Sequence, residues 1–213
     1  MDYILQNIMV GILNFPIFAV LLTLPIMVVQ LLKYKTFNPV RILLNYAAIL
    51  YGLCLFALVF LPIPDIEQAA LLSGHQMQVI PFHFVVDIVR QSPFVLTDLR
   101  TYLPALCNKA IWQVVFNVMM TIPFGMLLRY YFGCSCRKVV VCSFLLSLFI
   151  EVGQLTGLFF MYAGSYRLFD VDDLLANTLG GFLGFVVIKA CHFLPAIKSF
   201  DRHAAKTEVV VVR

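Results

Sequence analysis

The chain has 213 residues, 62% of them hydrophobic and 12% charged, with a mean hydropathy of +0.95. Soluble domains carry roughly 45–50% apolar and about 25% charged residues, so a water-soluble globular domain is excluded and the bilayer is the expected solvent. The net charge of +4 is not a nucleic-acid signal either, because its information lies in how the basic residues are distributed between loops.

Five apolar stretches are each long enough to cross about 30 Å of hydrocarbon as a helix: 8–32, 42–61, 110–128, 139–162 and 174–194. None alternates in polarity as a barrel strand would. The predicted fold class is all-α: a polytopic integral membrane helix bundle of five transmembrane helices, with a short amphipathic helix in the outer loop between the second and third spans. It is organised as a single transmembrane domain over 1–198 and a cytoplasmic tail over 199–213.

The first stretch contains Pro16 and Pro25, which each remove a backbone hydrogen bond and favour a bent scaffold helix. Basic residues follow it and none precede it, the wrong polarity for a cleavable signal peptide. Lys33, Lys35 and Arg41 occupy the first connection. Arg129, Arg137 and Lys138 occupy the third, and Lys189, Lys198, Arg202, Lys206 and Arg213 lie at or beyond the last span. Basic loops stay in the cytoplasm, so the N-terminus is expected outside and the C-terminus inside. That assigns Asp65, Glu67, Asp87, Asp98, Asp170, Asp172 and Asp173 to the exterior.

The long polar segment 62–109 contains "IPFHFVVDIVRQSP". Phe82, Val85, Val86 and Val89 share one helical face, and His83, Asp87, Arg90 and Gln91 share the opposite one. Pro81 fits a first turn and Pro93 stops the run. The expectation is an amphipathic helix on the outer leaflet, with a lid packed over the spans as the alternative.

The six cysteines form no disulfide framework. Cys54, Cys142 and Cys191 fall in apolar spans, where free cysteine acts as a small hydrophobe. Cys134 and Cys136 form a CxC pair with no histidine nearby, too few ligands for a metal site. Cys107 lies outside, unpaired. No metal site and no cofactor is assigned. The tail ends "EVVVVR", to which no function attaches.

The last three spans carry the side chains that are expensive in hydrocarbon and that mark sites by default. Asn117 lies in "NVMMTIPFGMLL", Glu151 and Gln154 in "SLFIEVGQL", and Asn177 in "RLFDVDDLLANTLGGFLGF". At about 1.5 Å per residue, Asn117 and Gln154 are expected roughly 10 Å below the outer surface, Glu151 roughly 15 Å down and Asn177 about 5 Å in. A carboxylate as deep as Glu151 costs about 2.5–3.5 kcal/mol or more. It must be protonated, paired or wetted, with Arg167 as the plausible cation. One aspartate before the last span is explained as a cap, a role expected for Asp172 or Asp173. Arg167, Asp170, Asp173 and Asn177 step by three, three and four, and an early helix start would stack them on one face. Gly180 and Gly184 continue that face as a packing seam. The reading is a polar cleft, open outward, formed by Asn117, Glu151, Gln154, Arg167, Asp170, Asp173 and Asn177.

The same motifs, with an upstream "VIPF", resemble the VanZ-like family of bacterial membrane proteins over about residues 79–193. The resemblance maps onto Asn117, Pro123, Gly125, Glu151, Gln154, Arg167, Asp170, Asp173, Asn177, Gly180 and Gly184, with Gly125 joining the packing glycines. A threonine, Thr121, stands where family helices commonly carry phenylalanine. Membership implies a multi-pass protein of the bacterial cell membrane, associated with resistance to the glycopeptide antibiotic teicoplanin. Three functions compete. The cleft binds an envelope lipid, a lipid-linked cell-wall precursor or a glycopeptide antibiotic; or it is a membrane-embedded enzyme using Glu151 with Asp170 or Asp173 as acid and base, where such oxygen ligands would also suit Mg²⁺ or Ca²⁺; or it transports, although the repeats and broken helices of transporters are missing. The bilayer is the expected partner in each case.

Overall fold

The computed structural model describes residues 2–34, 38–61, 77–93, 97–161, 165 and 167–191. The expected tail over 199–213 lies outside the described residues. Among the described residues the structure is all-α apart from one pair of two-residue strands. Its elements are α1 (Asp2–Tyr34), α2 (Pro39–Phe60), β1 (Met77–Gln78), α3 (His83–Gln91), α4 (Tyr102–Leu106), α5 (Lys109–Tyr130), α6 (Cys136–Leu155), β2 (Phe169–Asp170) and α7 (Val171–Ala190). Helices α1, α2, α5, α6 and α7 are long and apolar enough to cross a membrane.

The chain groups into two compact units, one of Met1–Ile63, Leu127–Gly133 and Val187–Arg213, the other of Pro64–Met126 and Cys134–Val186. In the first, α1 and α2 pair as an antiparallel hairpin. Asn7 Nδ2 donates to Leu61 O at 2.9 Å, Thr23 Oγ1 lies 2.6 Å from Tyr46 Oη, and Asn38 N–H donates to Gln30 Oε1 at 3.3 Å. Helix α1 runs unbroken through Pro16 and Pro25. Asn38 caps α2 by accepting from the N–H groups of Val40 and Arg41, the role that asparagine fills best just before a Pro-led first turn.

The second unit holds α5, α6 and α7 around a seam of small residues. A Cβ on Gly125 would lie 2.7 Å from the carbonyl carbon and 2.9 Å from the Cα of Gly181. A Cβ on Gly184 would meet Met126 N at 2.8 Å, and one on Gly180 would meet Val118 C at 2.9 Å and the Thr121 hydroxyl. Helices α5 and α7 therefore touch backbone to backbone. On the far side of α7, Gly181 sits against Ser143 of α6.

Two helix ends differ from the sequence expectation. The fourth span stops at Leu155, because the next residues turn the wrong way. Gly157, Leu158, Phe159 and Phe160 have φ of +61°, +57°, +56° and +70°, a left-handed turn that costs about 1–2 kcal/mol for each residue with a Cβ. Thr156 supports it, with its hydroxyl accepting from Phe159 N–H at 3.1 Å and its carbonyl from Phe160 N–H at 2.8 Å. The fifth span starts at Val171, because the side chain of Asp170 accepts from Asp172 N–H at 2.8 Å and so begins the helix three residues early. The cap is Asp170, where Asp172 or Asp173 was expected.

The seam makes a stability prediction. Gly125→Ala forces a methyl into the Gly181 backbone and should destabilise by about 1–3 kcal/mol. Gly52→Ala, with nothing within 4 Å of the new Cβ, should be neutral or mildly stabilising. Unfolding of both variants in detergent micelles, followed by helical circular dichroism, checks the contrast.

Candidate functional site

Three polar stripes face one another in the second unit, each spaced near four residues so that it follows one helical face. On α5 the stripe is Gln113, Asn117, Thr121 and Gly125; on α6 it is Ser143, Ser147, Glu151 and Gln154; on α7 it is Asp173, Asn177 and the glycines Gly180, Gly181 and Gly184. Ser143, Ser147, Glu151, Gln154, Thr121 and Asn177 are buried.

The stripes bond in layers. At the α7 end nearest its start, Asp170 N–H donates to Glu151 Oε2 at 3.0 Å. One turn along, the Asp173 carboxylate accepts from Asn117 Nδ2 in a short contact and from Gln113 Nε2 at 3.4 Å, while Ser147 Oγ donates to Asp173 O at 3.4 Å. Another turn along, Asn177 Nδ2 donates to Ser147 Oγ at 2.9 Å and Thr121 Oγ1 donates to Asn177 O at 2.8 Å. Asn117 with Asp173, Thr121 with Asn177 and Gly125 with Gly181 keep step every four residues, so α5 and α7 run parallel. Glu151 opposite Asp170 and Ser143 opposite Gly181 show α6 running against them. Among the described residues, the buried Asn177 Oδ1 and Ser143 Oγ have no hydrogen-bond partner.

The expected order of Glu151 and Asn177 along the helices changes. Glu151 was placed deepest and Asn177 shallowest; the structure puts Glu151 one turn from the end of α6 and Asn177 a layer further in. The cause is the pair of shifted helix ends, since α6 stops seven residues before 162 and α7 begins three before 174. The stack of Arg167, Asp170, Asp173 and Asn177 on one helical face does not form, because Arg167 and Asp170 precede the helix. Arg167 is exposed and closes no ion pair among the described residues, yet it lies within electrostatic range of Glu151 and Asp173. Its carbonyl accepts from Ser165 Oγ at 2.5 Å, and that hydroxyl also reaches Gln154 O at 3.4 Å, which returns the chain to the end of α6. Among the described residues no three His, Cys, Asp or Glu side chains converge as metal ligands.

Asp172 does something the sequence did not disclose. It is buried, and its two carboxylate oxygens accept from Phe82 N–H at 2.5 Å and Phe84 N–H at 2.8 Å. Phe82 stands at the N-cap of α3 with φ +64° and has no side-chain acceptor of its own, so α3 takes its cap from another helix. Gln113, Thr121, Ser143 and Ser147 were also missed, although their spacing of four from Asn117 and Glu151 was a readable signal. A helix forms over His83–Gln91 between α2 and α5, with His83 Nδ1 3.1 Å from Asp87 Oδ2.

Burial pushes the Asp170 carboxyl above its ordinary range, and the neighbouring Asp172 and Asp87 charges add to the push, against the Asp172 N–H bond and His83. A carboxyl raised on folding binds its proton more readily in the native state. Its stabilising contribution is complete below the ordinary carboxylate pKa of about 4 and is lost as pH climbs through the raised value. Asp170→Asn keeps an oxygen for the α7 cap and removes this slope. The melting temperature of the variant relative to wild type should therefore rise as the buffer is taken from pH 4 to pH 7.

Compared with known proteins, the chain matches the family model described as VanZ/LLP1 over residues 48–193, more than half of its length. The match reaches back beyond Val79 into α2, leaving α1 and the tail outside. No curated protein and no solved structure matches it. The layered stripes of α5, α6 and α7, including the Arg167–Gly184 motif, all fall inside the matched region, and the chain belongs to the VanZ/LLP1 family.

Proposed function

We propose that this is a multi-pass protein of the bacterial cell membrane, with its N-terminus outside, that binds the head of an envelope amphiphile at the acidic layer of Glu151, Asp170 and Asp173. The observation that carries the reading is Glu151. It is 2% exposed, and among the described residues its carboxylate accepts a single hydrogen bond, from a backbone N–H. A carboxylate that dry ordinarily holds more partners or a cation, so Glu151 retains acceptor capacity for the hydroxyl, amide or ammonium groups of a ligand. Arg167, exposed beside the layer, suits a phosphate or carboxylate on the same ligand. Gln154, Asn117 and Asn177 complete the polar lining.

An amphiphile with sugars, peptide or amine beside an anionic group describes an envelope lipid, a lipid-linked cell-wall intermediate or an acylated glycopeptide antibiotic. The last connects the site to teicoplanin-type resistance, with which the family is associated. The layer faces outward in this reading because the basic ends of the spans face the cytoplasm.

Purified protein in nanodiscs, titrated with labelled lipid-linked precursor and with a lipoglycopeptide, tests it. Glu151→Gln and Arg167→Ala should each weaken binding about tenfold or more, equivalent to about 1.4 kcal/mol. Binding by neither ligand, or equal binding by all three proteins, overturns the proposal. An enzymatic reading rests on a second observation: buried Glu151 stands beside half-buried Asp170, two carboxyls in unlike surroundings, as acid–base pairs are. Lipid-resolved mass spectrometry distinguishes the two. Binding leaves an unchanged lipid co-purifying with wild type and absent from Glu151→Gln, whereas catalysis leaves a converted product.

A further inference from the structure

Helix α3 has a construction unlike the others. None of its side chains is buried. Val85, Val86 and Val89 are 47%, 41% and 70% exposed, whereas His83, Phe84, Asp87 and Ile88 form its half-covered side. That inner side looks onto the acidic layer: His83 and Asp87 both act electrostatically on Asp170.

What holds α3 is at its ends. Ahead of it, β1 pairs in parallel with β2, Met77 opposite Phe169 and Gln78 opposite Asp170. At its start, both oxygens of Asp172 take the free N–H groups of Phe82 and Phe84, two of the donors a helix leaves unsatisfied in its first turn. At its far end, Asn108 Nδ2 donates to Ile88 O at 3.0 Å, one of the unsatisfied carbonyls of the last turn. The same Asn108 caps α5, accepting from Ala110 N–H at 2.9 Å. Segments with few buried apolar contacts and solvent-near hydrogen bonds open locally, far below the free energy of global unfolding.

We infer that α3 is a lid on the acidic layer, latched at one end by Asp172 and at the other by Asn108, which opens as a unit while α5, α6 and α7 stay packed. Opening uncovers Asp170 and releases the Asp172 carboxylate, adding an acid to the layer. The inference concerns the motion of the free protein and stands whatever the layer binds.

Hydrogen–deuterium exchange on the full-length protein in nanodiscs, read by mass spectrometry, tests it with two conservative variants. Asp172→Asn keeps the side chain's size but loses the charged acceptor pair. Asn108→Asp keeps the oxygen that caps α5 and loses the donor to Ile88. In both, amides of 82–91 should exchange about tenfold faster or more, the effect expected for removing a partly buried hydrogen bond, charged in the first case, with α5, α6 and α7 unchanged. Unaltered exchange over 82–91 overturns the lid. Equal acceleration across α6 and α7 also overturns it, since Asp172 and Asn108 would then hold the core together and not a separate cover.

Discussion

The larger unit depends on two helices meeting without side chains between them. Packed helices usually lie 8–10 Å apart, the spacing set by what stands at the contact. Here Gly125 of α5 meets Gly181 of α7, with Gly180 and Gly184 admitting the Val118–Met126 stretch on either side. Lipid tails offer no hydrophobic drive for helices to associate, so close backbone approach and the dispersion it allows must supply it. The consequence runs beyond packing. At that separation a side chain as short as Thr121 reaches a carbonyl of the neighbouring helix, and Asn117 reaches Asp173. The glycines set the distance at which the polar stripes bond.

The same constraint explains why three aspartates crowd the start of α7. Each answers to a different element. Asp170 faces along its own helix and caps it, Asp172 turns outward to cap α3, and Asp173, a turn further along, meets α5. Glu151 of α6 adds a fourth connection through the Asp170 backbone. A helix start offers free N–H groups and a favourable dipole for anions, which makes it the least costly place in an apolar chain to collect carboxylates. From there they reach α3 and α5 within one turn, while the Asp170 backbone meets α6.

Sequence reasoning found the five long helices because the apolar lengths are unmistakable, and it found the residues of the layer because ionisable groups are rare in such stretches. It misjudged where two helices end. Nothing in "GLFF" announces a left-handed turn, since three of its four residues carry a Cβ that resists one; the turn exists because Thr156 and the return of the chain to Gln154 hold it. The cap was misassigned because "DVDD" offers three equivalent acceptors, and only the tertiary partners decide which carboxylate remains free for the helix itself. Once the ends moved, Glu151 and Asn177 exchanged order along the packed helices. Polar residues that bond across helices were legible by their spacing of four, as with Ser147, four before Glu151, and Thr121, four after Asn117. The polar residues of α1, Asn7, Thr23 and Gln30, have no such regular step, and their partners on α2 and at its two ends appear only in the fold.

Whether the acidic layer is merely adhesive can be judged by magnitude. Interhelical hydrogen bonds in membranes contribute about 0.6 kcal/mol on average, and serine, threonine or asparagine supplies them without a charge to desolvate. The inner layer is built that way, with Ser147, Asn177 and Thr121. One turn nearer the start of α7, the chain uses carboxyls instead, which as charges would cost several times what each bond returns. Had cohesion been the sole requirement, glutamine at 151 would meet the Asp170 N–H equally well. Adhesion therefore accounts for the amides and hydroxyls of the stripes but not for their acids. Those acids gather beside the exposed Arg167 and next to α3, a helix with no buried side chain.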